Sequence, residues 1–182
     1  MVLETERLIL RAWEITDADE LFKYAKDERV GPIAGWPAHK NLEESRQVIQ
    51  NIFCKPQSYA IVFKQTNLPI GSIGLKFGTE SDIVNKIADD ECELGYWLGV
   101  DYWGMGIMSE AARKLIGYAF ENLGVKKIWC GYYDGNKRSK RVQEKLGFKF
   151  HHTTPKVKVL QMHEFRKGHV NLLTKQMWLM ND

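Results

Sequence analysis

The chain has 182 residues, which suits one domain with a single sizeable core, and 44% of them are apolar, with no run long enough to span a membrane. Glu4, Glu6 and Arg7 break up the early apolar residues, so no secretory leader is read there, and the net charge of +3 is too mild to define a nucleic-acid binder without an accompanying motif. Cys54, Cys92 and Cys130 are odd in number and widely spaced, which predicts reduced core thiols in a cytoplasmic protein and argues against a disulfide frame or a zinc site.

Residues 5–11 predict a first strand, with Leu8 and Leu10 facing away from Arg7, Ile9 and Arg11. Thr16 and Asp19 suggest a capping box that opens a helix with Leu21, Phe22 and Ala25 inward. The glycines and prolines of residues 31–37 are expected to exclude helix and central strand. Asn41 then caps a second helix carrying Val48, Ile49, Ile52 and Phe53. Strands are predicted at 58–65 and 70–77, with a turn at 66–69 between them. The polar, acidic stretch 78–91 predicts a long loop or hairpin tip.

The chain is organised around residues 93–111. Cys92, Leu94, Tyr96 and Leu98 share one strand face at period two. Gly104 and Gly106 follow, and then Ala112, Leu115, Ile116, Ala119, Phe120 and Leu123 recur at helical spacing. Ser109 is a candidate N-cap, and Gly124 stands where a C-cap glycine belongs. A glycine turn that feeds a helix N-terminus offers backbone N–H groups and partial positive charge, which suits a pyrophosphate. A plain strand–helix connection accounts for the turn equally well. A dinucleotide fingerprint would need a third glycine where Ser109 stands, and a P-loop Gly-Lys-Ser/Thr run does not occur.

Residues 127–133 predict a strand with Ile128, Cys130 and Tyr132 on one face. Asp134-Gly135-Asn136 breaks it, and 139–146 forms a short helix with Val142 and Leu146 inward and Gly147 at its end. Phe148 opens another strand. Two further strand-like runs, 156–164 and 169–180, are joined by a turn at 165–168. With no internal repeat or linker, the order fits a single mixed α/β domain over residues 1–182.

Two motifs together resemble the GNAT N-acetyltransferases, and within them the branch that includes the RimJ/RimL ribosomal-protein acetyltransferases. Trp103-Gly104-Met105-Gly106-Ile107-Met108-Ser109-Glu110-Ala111 resembles the acetyl-CoA loop Gln/Arg-x-x-Gly-x-Gly/Ala, with Trp103 in the Gln/Arg slot and Met108 in the last. Asn136-Lys137-Arg138-Ser139, followed by Glu144-Lys145-Leu146-Gly147-Phe148, resembles the family's second segment. The resemblance covers almost the whole chain. It implies a mostly antiparallel central sheet flanked by helices, acetyl-CoA as co-substrate, and no metal.

The chemistry asks for an amine that loses its proton, a polarised thioester carbonyl, and a departing thiolate that is protonated. By resemblance, the backbone amides from Gly104 to Ser109 hold the pyrophosphate, the pantetheine arm pairs with backbone at Trp97 and Leu98, and Asn136 bonds to that arm. Ser139, by the same resemblance, protonates the leaving thiolate, with a helix-start serine that satisfies local backbone as the plain alternative. Lys140, with its basic neighbours Lys126, Lys127, Lys137, Arg138, Arg141 and Lys145, forms a rim for the 3′-phosphate; ordinary solvated surface is the plainer reading of that cluster. Glu93 is the candidate general base, with a surface-paired strand glutamate as the plain alternative; Glu110 and His39 stand behind it. Trp36 and His39 would line the acceptor wall, though Trp36 equally serves to plug its loop onto the core. The expected acceptor is an amine, on a small molecule or a protein N-terminus, with no membrane partner; a homodimer is compatible with this. Two other classes stay open: a non-catalytic acyl-CoA binding or sensing module, and an interaction protein whose basic region binds nucleic acid.

Overall fold

The computed structural model describes residues 1–78 and 87–180. The fold is mixed α/β, with a mostly antiparallel eight-stranded sheet in the order β1-β2-β3-β4-β5-β6-β8-β7 and helices flanking it. Its strands are β1 (Leu3–Glu4), β2 (Leu8–Arg11), β3 (Ser58–Phe63), β4 (Leu68–Lys76), β5 (Glu91–Leu98), β6 (Lys127–Tyr133), β7 (Lys149–Val159) and β8 (Glu164–Thr174). The helices are α1 (Ala18–Ala25), α2 (Gly31–Ala34), α3 (Leu42–Val48), α4 (Ile107–Asn122), α5 (Lys137–Lys145) and α6 (Lys175–Leu179). Two compact units can be distinguished, Met1–Gly74 with Tyr96–Lys114, and Leu75–Gly95 with Leu115–Asp182.

In the first unit, β2 places Leu8 and Leu10 in the core, as their alternation predicts. The capping box lies two residues earlier than expected. Glu14 and Asp17 exchange bonds across a 3-10 turn, Ile15–Asp17, that runs into α1. Leu21, Tyr24 and Ala25 of α1 are buried, while Phe22 is only half-buried. Residues 31–34 form a short helix after all, because Pro32 sits in its first turn, where a missing N–H costs nothing. Asn41 caps α3 as expected, its Oδ1 accepting from the Glu44 N–H at 2.9 Å. The helix then widens into a π turn, Ile49–Phe53. The extra residue in that turn shifts the facing, so Ile52, expected inward, is exposed. Trp13, Leu21, Tyr24, Ile49, Val62 and Trp97 anchor the core of this unit.

In the second unit, β5 and β6 pair in parallel, with Glu93 opposite Trp129. β8 pairs with β6 on one side and with β7 on the other. Helix α4 ends as predicted: Gly124 takes φ +69°, and the Val125 N–H reaches back to Ala119 O. The expected turn at 165–168 is strand instead, with Gly168 paired to both Tyr133 and Thr154. The chain reverses earlier, through Leu160–Met162, and His163 takes the left-handed conformation at φ +53°. Val157 and Val159 bury against Tyr133 and set that register. Residues 175–179 are helix, not strand, because Thr174 Oγ1 accepts the Met177 N–H and starts a turn. Cys92 and Cys130 are buried thiols, but Cys54 is exposed and so is not a core residue. Of the expected loop at 78–91, residues 79–86 lie outside the described residues, and Ile87 is buried.

Candidate active site

Each unit carries one set of the predicted site residues. In the first unit, β5 leaves the sheet at Gly99, whose N–H bonds Ile70 O at 2.8 Å. A Cβ at Gly99 would lie 2.5 Å from the Tyr24 ring, so only glycine lets the chain pass. A 3-10 turn, Val100–Tyr102, follows, and the Trp103 indole N–H folds back onto Leu98 O at 2.8 Å. That bond takes one of the two lone pairs of the Leu98 carbonyl. Trp97 and Leu98 are themselves buried.

The loop then turns on Gly104 and Gly106, at φ +80° and +76°. These left-handed values cost an L-residue strain that glycine avoids. A Cβ at Gly104 would meet nothing within 4 Å, so the conformation, not crowding, demands this glycine. Helix α4 begins at Ile107, two residues before the expected cap, which places Ser109 inside the first turn. Ile107 and Met108 are buried and anchor that turn, while Gly104, Met105 and Gly106 are exposed. The Glu110 N–H makes a helical bond back to Gly106 O at 3.0 Å. By helical geometry, the N–H groups of Ile107, Met108 and Ser109 have no carbonyl a turn behind them. Backbone donors, left-handed glycines, the open space at Gly104 and the Arg7 guanidinium 3.7 Å from where a Gly106 Cβ would lie fit a polyphosphate.

Arg7 holds this loop in place, which the sequence reading missed. Its guanidinium meets the Glu110 carboxylate through Nε at 2.6 Å and also donates to Met105 O at 3.1 Å. The Thr5 hydroxyl and the Arg7 backbone N–H donate to the same carboxylate. Burial works against the Glu110 charge, but these bonds outweigh it and hold the carboxyl below its usual range. Glu110 is thus a structural anion, fully engaged, and not a base.

The aromatic wall of this unit is built from Trp36, which stands 5.9 Å from the Trp97 ring and 5.5 Å from His39. His39 is buried, its Nδ1 lies 2.8 Å from Ser45 Oγ, and burial lowers its pKa despite Glu44. It is therefore neutral at pH 7 and tied to α3.

In the second unit, three acidic or thiol groups follow one another along β5. Glu91 is paired with Lys127 at 2.7 Å and accepts the Trp129 indole N–H at 2.7 Å. Burial opposes its charge, yet those two partners lower its pKa. Cys92 is pushed up to about 12 by burial, with Glu93 and Glu91 adding to the shift. A thiol so held is no thiolate near neutrality, so it is unfit to carry an acyl group. Glu93 is only 4% exposed, not the surface-paired strand glutamate that was its plain alternative.

At the start of α5, Asn136 is the N-cap, its Oδ1 accepting the Ser139 N–H at 3.1 Å. Ser139 is half-buried, and its Oγ accepts from Gln143 Nε2 at 3.0 Å. Lys140 is exposed and lies 3.6 Å from Glu144. Lys126 and Lys127 are paired with Asp90 and Glu91, so these two members of the predicted basic rim are engaged locally. Gln143, fully buried, was not foreseen; its place four residues after Ser139 and three before Leu146 was the available signal.

Comparison with known proteins agrees with this geometry. Residues 7–149 match the family model described as an acetyltransferase (GNAT) domain. An uncharacterised N-acetyltransferase of Bacillus licheniformis, p20, is 30% identical over 151 residues, covering 80% of this chain and 81% of its own. The ribosomal-protein-serine acetyltransferase of Escherichia coli is 29% identical over 118 residues, 62% of each chain. Among solved structures, a GNAT-family acetyltransferase from Bacillus anthracis superposes with a TM-score of 0.83 at 20% identity, over 97% of this chain and 99% of its own. The microcin C7 self-immunity acetyltransferase MccE, solved with acetyl-CoA and AMP, gives 0.75 at 18% identity over 93% of each chain. The chain belongs to the GNAT acetyltransferase family, and its relatives include the RimJ/RimL-like ribosomal-protein acetyltransferases. It is an N-acetyltransferase by family. Among the described residues no helix is long and apolar enough to cross a membrane.

Proposed function

We propose that the chain acts as one acetyltransferase domain over residues 1–182, moving an acetyl group from acetyl-CoA to a primary amine by direct transfer in a ternary complex. The observation that carries this is the Gly104–Gly106 turn: left-handed glycines, exposed backbone and the first turn of α4 suit the pyrophosphate of CoA. Backbone at Trp97 and Leu98 pairs with the pantetheine arm, beside the Leu98 carbonyl that also receives the Trp103 indole N–H. Trp103, Met105 and Met108 shape the loop. Asn136 contacts the arm with whatever bonding capacity remains beyond its cap, and Lys140 faces phosphate.

Glu93 takes the proton from the incoming amine, directly or through water, and burial keeps it from being screened by solvent. Ser139 gives a proton to the departing sulfur. The raised Cys92 thiol supports transfer without a covalent enzyme intermediate. The acceptor is an amine of the protein N-terminal class. The ribosomal-protein-serine relative supports that class, and small-molecule amines form the second class to test. Free thiols at Cys54, Cys92 and Cys130 support a reducing, cytoplasmic setting.

The test begins with calorimetric titration of acetyl-CoA, CoA and ATP. Saturable acetyl-CoA binding without an ATP response is expected. Thiol release is then followed with peptides bearing free serine or alanine N-termini, with polyamines and with amino acids. Amine-dependent release supports the enzyme reading; binding without release under any amine would favour a sensing module. No CoA binding in a folded protein would overturn the loop assignment.

A further inference from the structure

Helix α5 reads Lys137-Arg138-Ser139-Lys140-Arg141-Val142-Gln143-Glu144-Lys145, a run in which every long polar side chain but one has solvent to reach. The exception is Gln143, at 0% exposure. A buried amide is costly unless its polar atoms find partners, and here both the nitrogen and the oxygen do. Nε2 donates to Ser139 Oγ at 3.0 Å and to Gly131 O, in β6, at 3.3 Å. Oε1 accepts from Asn171 Nδ2, in β8, at 2.8 Å. Asn171 is itself 5% exposed and stands opposite Cys130 in the β6–β8 pairing.

These bonds define polarity. A backbone carbonyl can only accept, so the Gln143 atom facing Gly131 O must be nitrogen. With the nitrogen so placed, the Gln143 oxygen faces Asn171 and accepts its N–H. The second hydrogen of the Gln143 nitrogen then falls to Ser139, whose oxygen is the acceptor. Ser139 Oγ is therefore supplied with a hydrogen bond from within the fold, and its own proton lies on another side of the oxygen. The Ser139 backbone N–H is held by Asn136 at the same time, so both ends of the residue are fixed.

We infer that Gln143, oriented by Asn171, is a positioning residue for the Ser139 hydroxyl. This rests on the proton-donor role proposed for Ser139. As the carbon–sulfur bond breaks, its electron pair goes to sulfur and Ser139 gives that sulfur its proton. The amine nitrogen forms its bond to the carbonyl carbon as that carbon–sulfur bond breaks, and the proton it gives up to Glu93 passes on through water to the Ser139 oxygen, which restores both groups. During the interval the oxygen carries negative charge, and the Gln143 N–H stabilises it. A donated hydrogen bond makes a hydroxyl a stronger acid. Gln143 thus aims the proton and eases its departure, without itself touching either substrate.

The experiment is a double-mutant cycle with Ser139→Ala, Gln143→Met and the pair combined, each checked by thermal melting. Methionine keeps the length of glutamine but has no donor. Gln143→Met is expected to lower kcat about tenfold while leaving the KM for acetyl-CoA within about twofold. In the Ser139→Ala background the same change should lower kcat no further. An equal drop in both backgrounds, or an unchanged kcat in the single variant, overturns the inference. Unchanged kcat in Ser139→Ala removes the proton-donor role beneath it, and the acetyltransferase reading survives that result. Wild type that turns over no amine would instead count against the acetyltransferase reading itself. Should Gln143→Met fail to fold, Asn171→Ala takes its place, with about a threefold loss expected that disappears when Ser139 is absent. A second readout uses ligand-free protein: the Gln143 side-chain NH2 resonances should shift in Ser139→Ala and Asn171→Ala. Resonances indifferent to both changes would also overturn the inference.

Discussion

The starts of α4 and α5 solve one problem in opposite ways. Each opens a helix after a β-strand and a tight turn, and each must deal with N–H groups that lack helical partners. At α5 the fold uses its own side chain, Asn136, to satisfy the Ser139 N–H. At α4 the turn passes through exposed, left-handed Gly104 and Gly106, and side chains are spent instead on fixing the loop from below. Arg7, Thr5 and Glu110 do that work, with Arg7 also reaching Met105 O. The lesson is that a helix start closed by its own cap presents side chains, whereas one braced from outside presents backbone. The first arrangement suits a positioned hydroxyl, the second a polyanion.

The largest effect should come from making the α4 turn resemble an ordinary one. Gly106→Val places a β-branched residue at φ +76° beside the exposed amides. Acetyl-CoA affinity is expected to fall roughly 100-fold by calorimetry, with the circular-dichroism spectrum retained. Wild-type affinity would mean that the loop does not hold the cofactor. Next, Arg7→Ala removes the brace and leaves the glycines alone. About a tenfold weaker affinity is expected, with a melting temperature lower by about 2–4 °C, modest because the Arg7 side chain is partly exposed. Unaltered affinity would show that the turn holds itself.

At α5 the contrast sharpens with Asn136→Ala beside Asn136→Asp. The alanine variant should lose about 1 kcal/mol of stability, and the aspartate variant should keep it. Equal losses in denaturant titrations would mean the cap contributes little. The smallest effect concerns acid. Glu110 has a lowered folded pKa, so its contribution is present above the unfolded value, about 4.3, and fades as pH falls through the lower folded value. Arg7→Ala should therefore flatten the loss of stability below about pH 4.5. A parallel fall in wild type and variant would assign that loss to other carboxylates.

Much of this contrast was legible in the amino-acid order. Gly104 and Gly106 were legible as a turn because turns are local physics. Asn41 and Gly124 were readable for the same reason. The cap at Asn136 was not foreseen: the helix was expected from residue 139 and starts at Lys137. What else escaped was non-local. Arg7 and Glu110 are 103 residues apart, and neither has a neighbour in sequence that points to the other. Gln143 hides in a charged run whose inward face was expected at Val142 and Leu146; Leu146 is buried, but Val142 is only half-buried and Gln143 takes the inward place beside it. Ile52 followed the helical period correctly until a π turn added a residue, and no propensity announces that insertion. The β7–β8 reversal was misplaced because glycine was expected to make it, whereas His163 does, and Gly168 was left to the strand.

The strand order carries a consequence for biosynthesis. β7 leaves the ribosome before β8, yet it pairs with β8, and β8 in turn pairs with β6. The nascent chain therefore holds a finished β7 with no neighbour to zip to, and an unclaimed edge on β6, until Glu164–Thr174 has been translated. Asn171 arrives with that last strand, and with it the N–H that bonds the Gln143 oxygen. The helix-start loop of α4 and its Arg7 brace are complete many codons earlier. A ribosome stalled after β7 would thus carry a chain in which Arg7 and its partner Glu110 are both present while Asn171 is still to come.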